Sequence, residues 1–196
     1  MNEGGAKALS RRQLVADVLT RRGEALAVAG LGSPAWDLFA AGDAPENFYL
    51  WGGMGLAAPI GLGLALARPE RRVLVLTGDG EMMMGVGSLA VIGVEAPGNL
   101  SILVLDNESF AETGAQQGLT ASGVDLAAIA RAASFADAVS VHDAAEARAL
   151  PKFLFEAPGP VLAVAKIALT QDPPAYPCKD GAYLAARFRE NLSASS

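Results

Sequence analysis

The sequence predicts an α/β protein, a three-layer sandwich with a central, mainly parallel sheet between two layers of helices. Three observations carry that prediction. Two runs, RRVLVLTGDG (71–80) and LSILVLDN (100–107), contain continuous apolar stretches, the pattern of strands covered on both faces. Strand-like and helix-like segments alternate along the chain, the signature of βαβ units. The 196 residues are 52% hydrophobic and 18% charged, ample material for a large buried core and poor material for a disordered chain.

In order, SRRQLVADVLTRR (10–22) starts with a serine and places Leu14, Val15, Val18 and Leu19 on one face, which predicts an amphipathic helix. ALAVAG (25–30) reads as a short buried strand, PAWDLFAA (34–41) as a helix, and FYLW (48–51) as an extended piece before a glycine-rich helix over 54–67. After the strand at 71–80, helical signal runs from Glu81 to Val94, and a Pro-Gly turn leads into the strand at 100–107. VDLAAIARAA is helical, FADAVSV extended, AAEARALPKFLFE helical despite Pro151, and GPVLAVAKI (159–167) a final strand. Leu184, Phe188 and Leu192 form one stripe of a terminal helix. The chain is read as a single domain over 1–196, with 168–196 as a C-terminal tail and helix.

Composition narrows the function. A net charge of −6 repels phosphate backbones and acidic bilayers, which argues against nucleic acid and membrane as partners. One cysteine, Cys178, allows no intrachain disulfide, and MNEGGAKALSRRQ lacks the apolar core of a secretory signal, so a cytoplasmic location is expected. The apolar segment from Leu50 to Ala67 holds five glycines and a proline and reads as loop and helix, not as a membrane span. His142, the sole histidine, precedes a helix start at Asp143 and reads as a surface or cap residue. Cys178 reads as structural. Met82, Met83 and Met84 read as core, and Lys179, Arg187 and Arg189 as a solvated basic face.

In open parallel sheets, ligands sit beyond the carboxyl ends of the strands. The two clearest strands end there in Gly78-Asp79-Gly80 and Asp106-Asn107, and Asn107 follows Asp79 by 28 residues, enough for one helix and a return to the same sheet edge. One carboxylate, one amide oxygen, a backbone carbonyl and a diphosphate make a suitable oxygen shell for Mg²⁺. Gly78 and Gly80 let the backbone approach a bulky anion, and a helix starting at Glu81 would aim free N–H groups at it. Glu81 itself must then turn its side chain away from the phosphates. The plainer reading makes GDG a strand-end turn and DN a surface turn.

The stretch GDGEMMMGVGSLAVIGVEAPGNLSILVLDN (78–107) resembles the diphosphate-binding module of thiamine-diphosphate enzymes of the pyruvate-decarboxylase-like group. That resemblance implies that Asp79 and the Asn107 side chain bind Mg²⁺, with the carbonyl of Ser109 as third protein ligand. FYLWGGMGLAAPIGLGLALA (48–67) is similar to the family's GxMG segment, which implies that Gly53, Met54 and Gly55 lie against the cofactor with Met54 as the apolar prop beneath its two rings. LDNESFAETGAQQGLTASGVDLAAIARAASF (105–135) and KDGAYLAARFRENL resemble phosphonopyruvate and sulfopyruvate decarboxylases. Phe110 and Ala111 then join the cofactor-binding residues. Glu112 is the candidate to move protons or orient substrate, with Thr113, Gly114 and Gln116 on the same loop.

The resemblance further implies a heteromer with a separate pyrimidine-binding, alpha-type subunit that supplies the glutamate activating the cofactor. A small 2-oxoacid is the expected substrate, because thiamine diphosphate supplies the carbanion acceptor its decarboxylation needs. Where relatives read GSMGHA, this chain reads Gly52-Gly53-Met54-Gly55-Leu56-Ala57, losing a hydroxyl and an imidazole. A carboligase, a 2-oxoacid oxidoreductase subunit and a non-catalytic regulatory module stay open as alternatives.

Overall fold

Alternate residues of each inner strand feed opposite sides of one sheet. The computed structural model describes residues 9–169 and 172–194. In chain order these form α1 (Arg11–Leu19), β1 (Leu26–Ala29), α2 (Ser33–Ala40), β2 (Asn47–Tyr49), α3 (Ala57–Ala67), β3 (Val73–Gly78), α4 (Asp79–Met84), α5 (Gly87–Glu95) and β4 (Leu100–Asp106). There follow a small hairpin, β5 (Ser109–Phe110) and β6 (Gln116–Gln117), then α6 (Leu126–Ala132), β7 (Asp137–Val141), α7 (Ala144–Ala147), α8 (Leu150–Glu156), β8 (Val161–Lys166) and α9 (Gly181–Ala194).

The large sheet has the order β2-β1-β3-β4-β8-β7, and every neighbouring pair is parallel. Leu26, Val28, Val73, Val75, Leu100, Ile102, Val104, Leu162 and Val164 pack into one core with α3, α5 and α6. Ala27, Ala29, Leu74, Leu76, Leu103, Leu105, Ala163 and Ala165 pack into the other with α1, α2 and α8. This is the predicted three-layer sandwich, and its two-sided burial explains why the strands read as unbroken apolar runs. α9 serves both sides, with Leu184 in the second core and Phe188 in the first.

Several expected elements differ in extent. The glycine-rich helix begins at Ala57 instead of residue 54, which leaves Met54 in the preceding turn. The helix expected over 81–94 starts at Asp79 and is split into α4 and α5. At the break the Gly85 backbone presses against Gly55, where an added Cβ would stand 2.3 Å from the Gly55 carbonyl oxygen. The helix expected over 144–156 is also two, and Pro151 sits in the first turn of α8, where its missing N–H costs no helical bond. Met82 is core, but Met84 is 60% exposed.

Cys178 is exposed, and its carbonyl accepts the Trp51 indole N–H at 2.8 Å. The expected solvated basic face is also partly overturned. Arg187 grips Asp43 with two hydrogen bonds, and Lys179 lies over the rings of Trp51 and Tyr176. His142 is exposed, immediately before the cap Asp143. The expected C-terminal tail and the opening of the chain fall in part at residues 1–8, 170–171 and 195–196, outside the described residues. Among the described residues, no helix is long and apolar enough to cross a membrane.

Candidate active site

Because the sheet is parallel, the carboxyl ends of β1, β3, β4 and β8 share one edge. The chain leaves β1 toward β2 on one side and returns as β3 on the other, so a crevice opens between the ends of β1 and β3. A cavity of about 150 Å³ lies at this edge. It is lined by Leu31 and Ser33 after β1, by Gly78, Asp79, Gly80 and Glu81 after β3, and by Asn107, Ser109, Phe110, Ala111 and Glu112 after β4. Met54 also lines it, while remaining 39% exposed. Of the residues singled out for the cofactor, the cation and the Glu112 loop, Gly53, Gly55, Gly114 and Gln116 are absent from its walls; Gly53 and Gly55 shape the turn that carries Met54.

Register brings the two strand ends together. Gly78 pairs with Leu105, so Asp79 arrives beside Asp106 and Asn107. Asp79 is 3% exposed, and its carboxyl is held by the Thr120 hydroxyl at 3.1 Å and by the backbone amide of Asn107. Its pKa is raised to about 6, first by burial and then by the neighbouring charge of Asp106, against the pull of those hydrogen bonds. A cation placed against this carboxyl would oppose both effects. The Asn107 side-chain oxygen accepts the Ser109 N–H at 3.0 Å and keeps a second lone pair. Among the described residues no cluster of three His, Cys, Asp or Glu side chains gathers. Asp79 and Asn107, which both line the cavity, carry a carboxylate and a side-chain amide oxygen, donor types that suit a hard cation.

The surrounding wall is close-packed. An added Cβ on Gly80 would lie 2.4 Å from the Phe110 ring, so that glycine makes room for an aromatic cover over the turn. Gly78 has open space where a Cβ would stand. Glu81 turns inward. Its carboxylate accepts the Thr77 hydroxyl at 2.9 Å and lies against Gly30, where a Cβ would come within 1.7 Å of it. Burial raises its pKa, against the pull of the Thr77 hydroxyl and of the Ala57 and Gly55 backbone amides. Glu112 reaches across the cavity to the start of α2, accepting the Ser33 N–H at 2.9 Å.

Sequence reasoning missed Leu31, Ser33, Pro34 and Arg11, which complete the wall. The signal was present: GLGSP directly follows the first strand and opens a helix with proline in its first turn, the pattern already used for GDG. Asp106 was noted as part of the strand-end turn but given no role of its own. Thr120 and Lys166 were missed, and nothing in their local sequence marks them.

Fold and site together define an α/β domain with a cavity at the carboxyl edge of a parallel sheet. Residues 35–165 match the family described as thiamine pyrophosphate enzyme, C-terminal TPP binding domain. The chain belongs to that family. It is 46% identical over 110 residues to the sulfopyruvate decarboxylase subunit beta of Methanothermobacter thermautotrophicus, an alignment covering 56% of this chain and 58% of the relative. It is 32% identical over 158 residues to the subunit of the same name from Methanococcus maripaludis, covering 81% and 84% of the two chains. Thus, in the first of these, the match spans little more than half the relative's length. Among solved structures, benzoylformate decarboxylase from Polynucleobacter necessarius shares the fold with a TM-score of 0.70 at 19% identity, over 88% of this chain and 36% of that one.

Proposed function

We propose that this chain is the thiamine-diphosphate- and Mg²⁺-binding subunit of a heteromeric 2-oxoacid decarboxylase, a carboxy-lyase of the sulfopyruvate and phosphonopyruvate type. The observation that carries the reading is the meeting of Asp79 and Asn107 at one cavity, with the Asn107 amide on the Asp79 carboxyl. Asp79, the Asn107 side chain and the Ser109 carbonyl would hold the cation. Gly78 and Gly80 leave the backbone approachable, and Phe110 and Ala111 close the wall. Met54 is the apolar prop for the cofactor rings, and Gly53 and Gly55 fix its turn. When bound, thiamine diphosphate supplies the electron sink for decarboxylation. Glu112, at the cavity and held by Ser33 at the start of α2, would move a proton or orient substrate.

A partner of the alpha type is supported by two things. Both relatives named above are called beta subunits. Beside the cavity, Met54, Leu56 and Met84 are exposed apolar side chains, and the contact between Gly55 and Gly85 brings the segments that carry them together. The test is calorimetric titration of thiamine diphosphate with and without Mg²⁺. Asp79→Asn, which removes charge at constant size, is expected to lose the Mg²⁺-dependent part of binding. An Asp79→Asn variant with the parent's affinity and metal dependence would sink the reading. Product analysis over a panel of 2-oxoacids then separates simple decarboxylation from carboligation.

A further inference from the structure

We propose that Thr120 is a positioning residue that aims the Asp79 carboxylate at the cavity, with Gly118 and the Asp106–Lys166 ion pair as its support. This rests on the reading of Asp79 as a cation ligand. Thr120 is 5% exposed, and its hydroxyl lies between two buried carboxylates, 3.1 Å from Asp79 Oδ2 and 2.9 Å from Asp106 Oδ1. A hydroxyl has one proton to give, so two carboxylates compete for it. The sheet settles the competition. Asp106 pairs in register with Lys166 on β8, whose ammonium sits 2.8 Å from Asp106 Oδ2, and the Glu108 N–H donates to Oδ1 at 3.0 Å. Asp106 thus has two further donors, one of them a full positive charge, while Asp79 has backbone amides alone, so the Thr120 proton matters more to Asp79.

The approach of the loop is equally specific. Gly118 donates its N–H to the Glu108 carbonyl at 2.8 Å and passes close to the metal-ligand candidate. A Cβ there would stand 2.9 Å from Asp79 Oδ2 and 3.2 Å from the Glu108 carbonyl group. The 118–120 segment therefore engages Oδ2, the oxygen that Thr120 bonds, and not Oδ1. Lys166 also reaches Glu108 Oε1 at 2.7 Å, which ties the start of the cavity loop to the same ion pair. Asp106, though buried beside the site, is thereby kept as an anchor instead of a second cation ligand.

The experiment uses the chain assembled with its pyrimidine-binding partner, Mg²⁺ and thiamine diphosphate, with binding read by calorimetry across Mg²⁺ concentrations. Outer-shell partners of metal ligands are worth about 10- to 100-fold in affinity, so Thr120→Val, equal in size but without the hydroxyl, should require at least about tenfold more Mg²⁺. Thr120→Ser, which keeps the hydroxyl, should titrate close to the parent. A purely structural role would shift the unfolding midpoint of Thr120→Val without changing its Mg²⁺ requirement, and that result would overturn the inference. So would equal losses in Thr120→Ser and Thr120→Val. If Thr120→Val does not fold, Lys166→Gln gives the same test from a more exposed side chain, with a raised Mg²⁺ requirement expected and an unchanged one overturning the proposal. A parent complex that binds no cofactor at any Mg²⁺ concentration overturns the functional reading, and this inference with it.

Discussion

Glu112 shows how one side chain can be held ready by a single residue, Ser33. It stands on a short exposed turn, Ala111–Thr113, between Glu108, which takes a positive φ, and Gly114 and Ala115, which do the same. Its carboxylate is tied to the Ser33 amide and, at 3.4 Å, to the Ser33 hydroxyl. Glu112→Gln keeps an oxygen acceptor for that amide but removes the charge and the proton-transfer capacity. General acid–base groups contribute on the order of 10²-fold or more, so turnover of the assembled enzyme should fall by about that factor while cofactor affinity stays near the parent value. Steady-state kinetics beside cofactor titration measures both, and an undiminished rate would remove Glu112 from the chemistry. Glu81 makes the opposite point. It shares the cavity wall, yet its carboxyl is turned toward Thr77 and Gly30.

At the scale of elements, the segment after β8 is fastened across the ends of α1, α2 and β2. Arg12 donates to the Pro173 carbonyl at 2.7 Å, Tyr176 packs edge-on against Trp36, and Trp51 bonds the Cys178 carbonyl. α9 is then locked by Arg187 to Asp43, whose other acceptor bond comes from the Tyr49 hydroxyl at 2.8 Å. Burial pushes the Asp43 carboxyl up, but the bonds from Arg187 and Tyr49 outweigh it and hold its pKa below the ordinary 3.8. A depressed folded-state value means the pair stabilises the fold above the unfolded pKa, and that this contribution is lost as pH falls through the lower folded value. The stability difference between the parent and Arg187→Ala, measured by urea unfolding, should therefore be larger near neutrality than below 3.8. Equal differences at the two pH values would show that the ion pair does not anchor α9.

For the whole molecule, the sheet gathers donors from β3 and β4, a wall from β1 and β8, and Met54 from the turn before α3 onto one edge. Apolar side chains stay exposed beside that edge. The proposed assembly makes a direct prediction: the chain alone should turn over a 2-oxoacid far more slowly than the chain co-purified with an alpha-type partner. Assays of both preparations at matched cofactor concentration check this. Full activity of the chain alone would remove the need for a partner.

Much of this was written locally. The strands at 73–78 and 100–106 read correctly because two-sided burial demands continuous apolar residues, and the turns that follow them were legible because ligand sites in parallel sheets lie at carboxyl ends. Helix boundaries were less legible: the break at Gly85 depends on the backbone of Gly55, thirty positions earlier. Beyond Asn107, the partners of Asp79 were not legible. Thr120 lies 41 residues from Asp79 and 14 from Asp106, and Lys166 meets Asp106 only through the register of β4 with β8. The sequence by itself determined the fold class and the two strand-end turns, since hydrophobic period and turn chemistry are properties of neighbouring residues. Tertiary structure alone decided which side chains surround the buried carboxylate, because strand order and register, set by the packing of the whole sheet, bring those distant residues within hydrogen-bond reach.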